Sequence, residues 1–179
     1  MKQVFIAVFI LFLFQVTFAQ DFNYIGVKKC ATCHKPAKIG NQFGIWSEGS
    51  HAKAFEVLKS EEAKKVATKM GIADPATDAK CLKCHVTGFA APAANKEATL
   101  TQEEGVSCEA CHGPGSGYKS MKVMKQLVAG EVEPASVGLI AGADNFKAQC
   151  VKCHNEESPT YKPFVYEESV KKIAHPMPK

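Results

Sequence analysis

CATCHK, residues 30–35, contains Cys30-x-x-Cys33-His34, and the same pattern returns as Cys81/Cys84/His85, Cys108/Cys111/His112 and Cys150/Cys153/His154. In each copy two thiols and an imidazole stand at i, i+3 and i+4, so one helical turn brings them to a common face. This is the spacing of c-type haem attachment. The thiols add to the two vinyl groups of a haem edge, and the histidine turns a ring nitrogen to the iron as proximal ligand. Four copies predict four covalently bound haem c groups, each with its iron.

Two other uses of eight cysteines compete. An exported chain could pair them as four disulfides, and CxxC pairs also build zinc sites. Neither explains why histidine follows the second cysteine every time, and no cysteine lies outside a CxxCH. A zinc ribbon joins its CxxC units by about 15–20 residues, whereas Cys84 and Cys108 enclose residues 85–107, which is 23, and the other gaps are longer. The motif histidines are spaced 51, 27 and 42 apart, so the chain is no regular tandem repeat.

Residues 1–19, MKQVFIAVFILFLFQVTFA, carry a basic Lys2, an apolar run and small or polar Thr17 and Ala19. They predict a secretory signal peptide cleaved after Ala19. Val4–Ala19 is shorter than the roughly 20 apolar residues of a spanning helix, and no cysteine stands near the cleavage point for lipidation. The reading is therefore a soluble periplasmic protein without stable membrane insertion, in a compartment where free thiols would otherwise oxidise. Residues 20–179 form a single predicted domain of 160 residues, 40 per haem. So little chain cannot give each porphyrin its own protein core. The haems are expected to pack on one another, and the chain without them is expected to be unfolded.

The formal charge is +4, or +3 without Lys2, and each haem adds roughly two propionates that this sum ignores. All 22 basic residues are lysine. The bidentate forks that favour phosphate and bases are missing, so nucleic acid is not the expected partner. The lysines read as a solvated face with one patch available to steer a redox protein, donor or acceptor.

Helical signals predominate and no stretch shows strand alternation. Ser60 opens an amphipathic run to Met70 with Gly71 behind it; Thr101–Glu104 is a capping box leading to the third motif; Tyr118–Val128 has helical spacing; Tyr166–Ala174 reads as a last helix halted by Pro176. Phe89–Ala98 and Ala129–Asn145 read as loops. Gly113-Pro-Gly-Ser-Gly117 lacks the Gly-Lys-Ser/Thr ending of a phosphate loop and reads as a turn passing close to a porphyrin. The fold class is mainly α: short helices and long loops around closely packed haems.

Four irons offer eight axial positions, and the chain has six histidines. Four serve as proximal ligands, which leaves His51 and His175, so at most two haems are bis-histidine. His51 lies in an apolar setting of Trp46, Ala52, Ala54 and Phe55, and His175 stands between Ile173 and Pro176 at a helix end; both are read as distal ligands. Methionine could also serve. Met121 and Met124, at i, i+3, read instead as core filling.

WSEGSHAKA, CLKCHVTGF, GVSCEACHGPGSGY and YEESVKKIAHP, in register with the four motifs, resemble the cytochrome c-554 family of periplasmic tetrahaem carriers. The resemblance runs from Cys30 to Pro176. It implies haems in closely stacked, near-parallel pairs and electron passage between redox enzymes and the respiratory chain. It also implies that His51 completes the haem of His154, that His175 completes the haem of His112, and that the haem of His85 is five-coordinate. A histidine that the family carries shortly after Gly-Pro-Gly is missing here, where Tyr118 stands. The haem of His34 is then open or takes Tyr118, Met121 or Lys119.

The reading is an electron carrier in respiration rather than an enzyme, with no catalytic residue assigned. The alternative is a reductase in which an open haem binds a small nitrogen oxide or peroxide while the other haems feed it electrons. No cluster assignable to anion binding or proton delivery supports that alternative.

Overall fold

The computed structural model describes residues 21–177; the signal-peptide reading falls outside them. Nine short α-helices lie among the described residues: α1 (Val27–His34), α2 (Gln42–Glu48), α3 (Ala54–Val57), α4 (Glu61–Lys69), α5 (Ala79–His85), α6 (Cys108–His112), α7 (Met121–Val128), α8 (Ala143–Cys150) and α9 (Tyr166–Ser169). Extended pairing among the described residues is limited to one bridge, Tyr24 with Lys96. The mainly α class holds.

Local chemistry starts and stops these helices where the sequence indicates. Ser60 caps α4 by accepting from Ala63 N at 3.1 Å, and Gly71 follows it at φ 69°. Thr101 and Glu104 form the expected capping box, but on a 3-10 turn, Gln102–Glu104, that Gly105 ends before the third motif. The helix expected from Tyr118 begins at Met121, because Ser120 caps it through Val123 N at 3.2 Å. The last helix is α9 with a 3-10 turn, Val170–Lys172. Three haem motifs lie wholly on α1, α5 and α6. In the fourth only Cys150 is helical, although His154 N still donates to Cys150 O at 2.9 Å.

One difference from expectation concerns packing. Met121 is 65% exposed, not core filling. The glycines of 113–117 pack against protein: a Cβ on Gly115 would come 2.8 Å from Ile25 Cδ1, and one on Gly117 would strike Phe22. The close approach there brings in the segment before the first motif.

The buried apolar set is small: Ile25, Val27, Phe55, Leu58, Ala67, Ile72, Leu82, Val86 and Tyr118. Phe55, Leu58, Leu82 and Val86 form one cluster that joins α3 to the second motif. The N-terminal segment is held by carboxylates instead. Glu109, 2% exposed, accepts from Ile25 N (2.9 and 3.1 Å), Gly26 N (2.8 Å) and Gly115 N (2.6 Å). Glu104 accepts from Val27 N at 2.9 Å. Burial raises both carboxyls while these donors pull them back.

Glu109→Ala leaves three backbone N–H groups buried without an acceptor, at about 1–3 kcal/mol each before relaxation. A loss of about 3 kcal/mol is the expected result, read as a lowered denaturation midpoint of the holoprotein. Glu109→Gln keeps one acceptor oxygen and should fall between the two. A midpoint unchanged in Glu109→Ala overturns the role given to this carboxylate.

Candidate haem sites

The fold gathers the motif cysteines across motifs. Helix α1 packs on α6, and the Cys108 thiol and burial push the Cys30 thiol up, so the first motif meets the third. Burial first and Cys150 second push the Cys111 thiol up to about 11, so the third motif meets the fourth. Burial first and Cys84 second push Cys153 up to about 12, and the second motif meets the fourth. The third motif thus lies between the first and the fourth, and the second lies beside both the fourth and the third, since Ser107 N donates to Thr87 Oγ1 at 2.7 Å. Nothing in the sequence spacing announces it.

The two spare histidines are placed opposite motif histidines. The His51 ring lies 6.0 Å, centre to centre, from His154, and the His175 ring 5.8 Å from His112. A metal–imidazole bond of about 2.0–2.1 Å on each side, plus the ring halves, fills a gap of that order. Imidazoles therefore gather in twos, and among the described residues no three or more His, Cys, Asp or Glu form a metal cage of the zinc type. The residues fit iron held between paired imidazoles above cysteine tethers.

Neighbours orient these rings. Phe164 stacks on His154 at 4.7 Å and 13°, and Phe146 meets His112 edge-on at 5.3 Å. His51 O accepts from Val106 N at 2.9 Å, and His112 O accepts from Ile140 N at 2.9 Å. Gly105, at φ 62°, passes so close that a Cβ would lie 2.7 Å from His51 O. Only glycine suits both the left-handed backbone and the gap. Burial lowers the His51 pKa, with His154 adding to it; burial and then His175 push His112 down to about 4. Both rings are neutral at pH 7, as ligation requires.

His85 stands differently. Its Nδ1 lies 2.5 Å from Ala54 O, and a carbonyl can only accept, so Nδ1 carries the proton and Nε2 is the free donor to a metal. Neither His51 nor His175 is its ring partner. His34, on α1, has no paired ring among the aromatic contacts of the described residues either. The three candidates for its second ligand are otherwise engaged: Tyr118 donates its hydroxyl to Gly113 O (2.6 Å) and His112 O (3.1 Å), Lys119 pairs with Glu97 at 3.2 Å, and Met121 is exposed.

Two working residues carried no readable signal in the sequence. Glu109 differs from its counterparts only as an acidic residue inside a CxxCH. Gln42, 6% exposed, donates through Nε2 to Ile39 O (2.7 Å) and Pro176 O (3.0 Å), which clips the chain beside His175 to the loop after the first motif. Its Oε1 is buried without a partner. A flipped amide would face that oxygen to two carbonyls, so the orientation is set.

The pattern of the family described as "Cytochrome c554 and c-prime" matches residues 29–113, which include the first three motifs. The chain is similar to "Cytochrome c-554" of Nitrosomonas europaea, 34% identical over 155 residues that make up 80% of this chain and 63% of that relative. It therefore spans less than two thirds of the relative's length. No solved structure matches it. Among the described residues no helix is long and apolar enough to cross a membrane.

Proposed function

We propose, from the match of residues 29–113 to the cytochrome c554 and c-prime family, a periplasmic tetrahaem cytochrome c that passes electrons between redox protein partners in respiration. The likeness to that family implies covalently bound haem c; the count of four is our reading. The observation that carries it is the fourth motif, which lies beyond the family match yet sets His154 against His51 and Cys153 beside Cys84. Haem c supplies reversible one-electron chemistry whose potential follows its axial ligands.

The chain's own residues do the rest. Cys30, Cys33, Cys81, Cys84, Cys108, Cys111, Cys150 and Cys153 tether; His34, His85, His112 and His154 orient from the proximal side; His51 and His175 close the far side of the fourth and third sites. The packing of the motifs supports an electron path that runs from the first through the third to the fourth and second. The domain assignment, residues 20–179 after loss of the signal peptide, belongs to this proposal. Intact-mass analysis of the exported protein should show four haem additions and a chain starting at Gln20. Three additions, with none at Cys150/Cys153, overturn the tetrahaem reading.

A reductase is the second reading. Its support is specific: the Nδ1–H of His85 is already committed to Ala54 O, and no other imidazole is paired with that ring. Open coordination without proton-delivering neighbours is weaker support than the carrier has.

Gln42 gives this proposal a handle on one site. His175 lies in the exposed run 171–177, and Gln42 is the buried side chain that ties this run down. Gln42→Leu keeps the volume and removes the donor. It should convert up to one haem in four to high spin in the visible and electron paramagnetic resonance spectra. An unchanged spectrum means that His175 is held without the clip.

A further inference from the structure

We propose that the first-motif end of the molecule is the docking face for a redox protein with an acidic surface. This rests on the carrier reading and goes beyond it by assigning the end and the sign of the partner's charge. The first motif is an end of the cluster: α1 packs on α6 of the third motif, whereas the second motif is tied to the fourth by Lys83–Glu157 (2.6 Å) and to the third by Ser107 N donating to Thr87 Oγ1 (2.7 Å). An electron path needs a port at the surface, and the surfaces beside the first and second motifs differ in chemistry.

Around the first motif stand Lys28, Lys29, Lys35 and Lys38, all exposed. From Phe22 to Ser47 there is no Asp or Glu. None of these four lysines forms an ion pair among the described residues. The nearest carboxylates from other elements, Glu104 and Glu109, are buried and bonded to backbone N–H groups of residues 25–27. Glu104 feels Lys28, but both carboxylates keep their oxygens on backbone donors. Cys33, whose thiol marks the edge of this site, is exposed, while the other seven cysteines are partly buried. Basic charge and the most exposed of the cysteine tethers therefore coincide.

The second-motif end lacks that combination. Asp74 and Asp78 stand beside Lys80 and Lys83 along the chain, and Lys83 is paired with Glu157 at 2.6 Å. Its charge is balanced. A patch of one sign beside the redox edge steers an oppositely charged partner and raises the association rate, and salt screens the effect. The lysines here are ammonium point charges on flexible stems, which suits a transient complex better than rigid bidentate pairing.

The test uses the oxidised holoprotein and, as probe donor, a reduced acidic plant-type [2Fe–2S] ferredoxin. That donor is a low-potential, one-electron reductant. Stopped-flow reduction is followed from low to high ionic strength, with the haem potentials of each variant measured alongside. Wild type should react fast and slow steeply with salt. Lys28→Glu/Lys35→Glu/Lys38→Glu should react about ten-fold or more slowly at low salt and converge with wild type at high salt. Lys65→Glu/Lys69→Glu/Lys80→Glu, the same charge change at the other end, should alter the rate by less than about three-fold.

Equal slowing by both triples reduces the effect to net charge and overturns the proposal, as does slowing by the second triple alone. An unaltered salt dependence with a shifted potential of one haem also overturns it, since the lysines would then serve that haem's propionates. Wild type whose haems dithionite reduces but no protein donor reduces at any salt is a failure of the carrier reading itself.

Discussion

Oxidised holoprotein is expected to contain two low-spin and two high-spin haems, and nitric oxide should bind the high-spin pair. Six histidines less four proximal ligands leave two, and the fold spends both: His51 against His154, His175 against His112. The non-histidine candidates are engaged or remote. Tyr118 donates to Gly113 O and His112 O, and Lys119 holds Glu97. To ligate, Tyr118 would have to abandon two backbone acceptors and leave a buried position. Low-temperature electron paramagnetic resonance, with total haem determined alongside, counts the irons directly.

Substitution then assigns them. His51→Ala should move one haem of four from low to high spin, and His175→Ala a different one, so the double variant should have no low-spin haem. The two effects should add, since the pairs occupy different sites. Four low-spin haems in the wild type, inert to nitric oxide, would sink the ligand count. An unchanged spectrum in His51→Ala would remove His51 from the fourth site.

The second large effect concerns folding. A chain whose eight cysteines are replaced by alanine, exported in the same way, should keep less than about half of the holoprotein's helical ellipticity and melt without a cooperative transition. The longest helix among the described residues, α4, has 9 residues, below the roughly 12–15 at which an isolated helix is even marginal. Helices this short need a core to hold them, and the buried apolar set is too small to serve all nine. One part should resist: α3 and α5 share the Phe55, Leu58, Leu82 and Val86 cluster. Far-UV dichroism of the cysteine-free chain equal to that of the holoprotein would show that protein contacts suffice.

The site divides along the range of the interactions involved. Haem attachment was readable because its chemistry is local: two thiols and an imidazole at i, i+3 and i+4 need one turn of backbone, and α1, α5 and α6 supply it. The Ser60 cap and the Gly71 stop of α4 were readable for the same reason. Helix ends were less so. The run expected from Tyr118 starts three residues later because Ser120 takes the cap and the Tyr118 hydroxyl is drawn to Gly113 O.

What spacing could not carry was who faces whom. His51 and His154 are 103 positions apart, and their pairing came only from resemblance until the rings stood 6.0 Å apart. The spatial order of the motifs, the seat of Glu109 under residues 25–26 and the clip of Gln42 on Pro176 depend on chain segments 83 to 134 residues apart meeting in space. Composition and periodicity hold no record of such meetings. The number and chemistry of the sites thus follow from residues a turn apart. Their arrangement and the pairing of their histidine rings follow from packing, because long-range contacts select one arrangement among the many that the same local motifs allow.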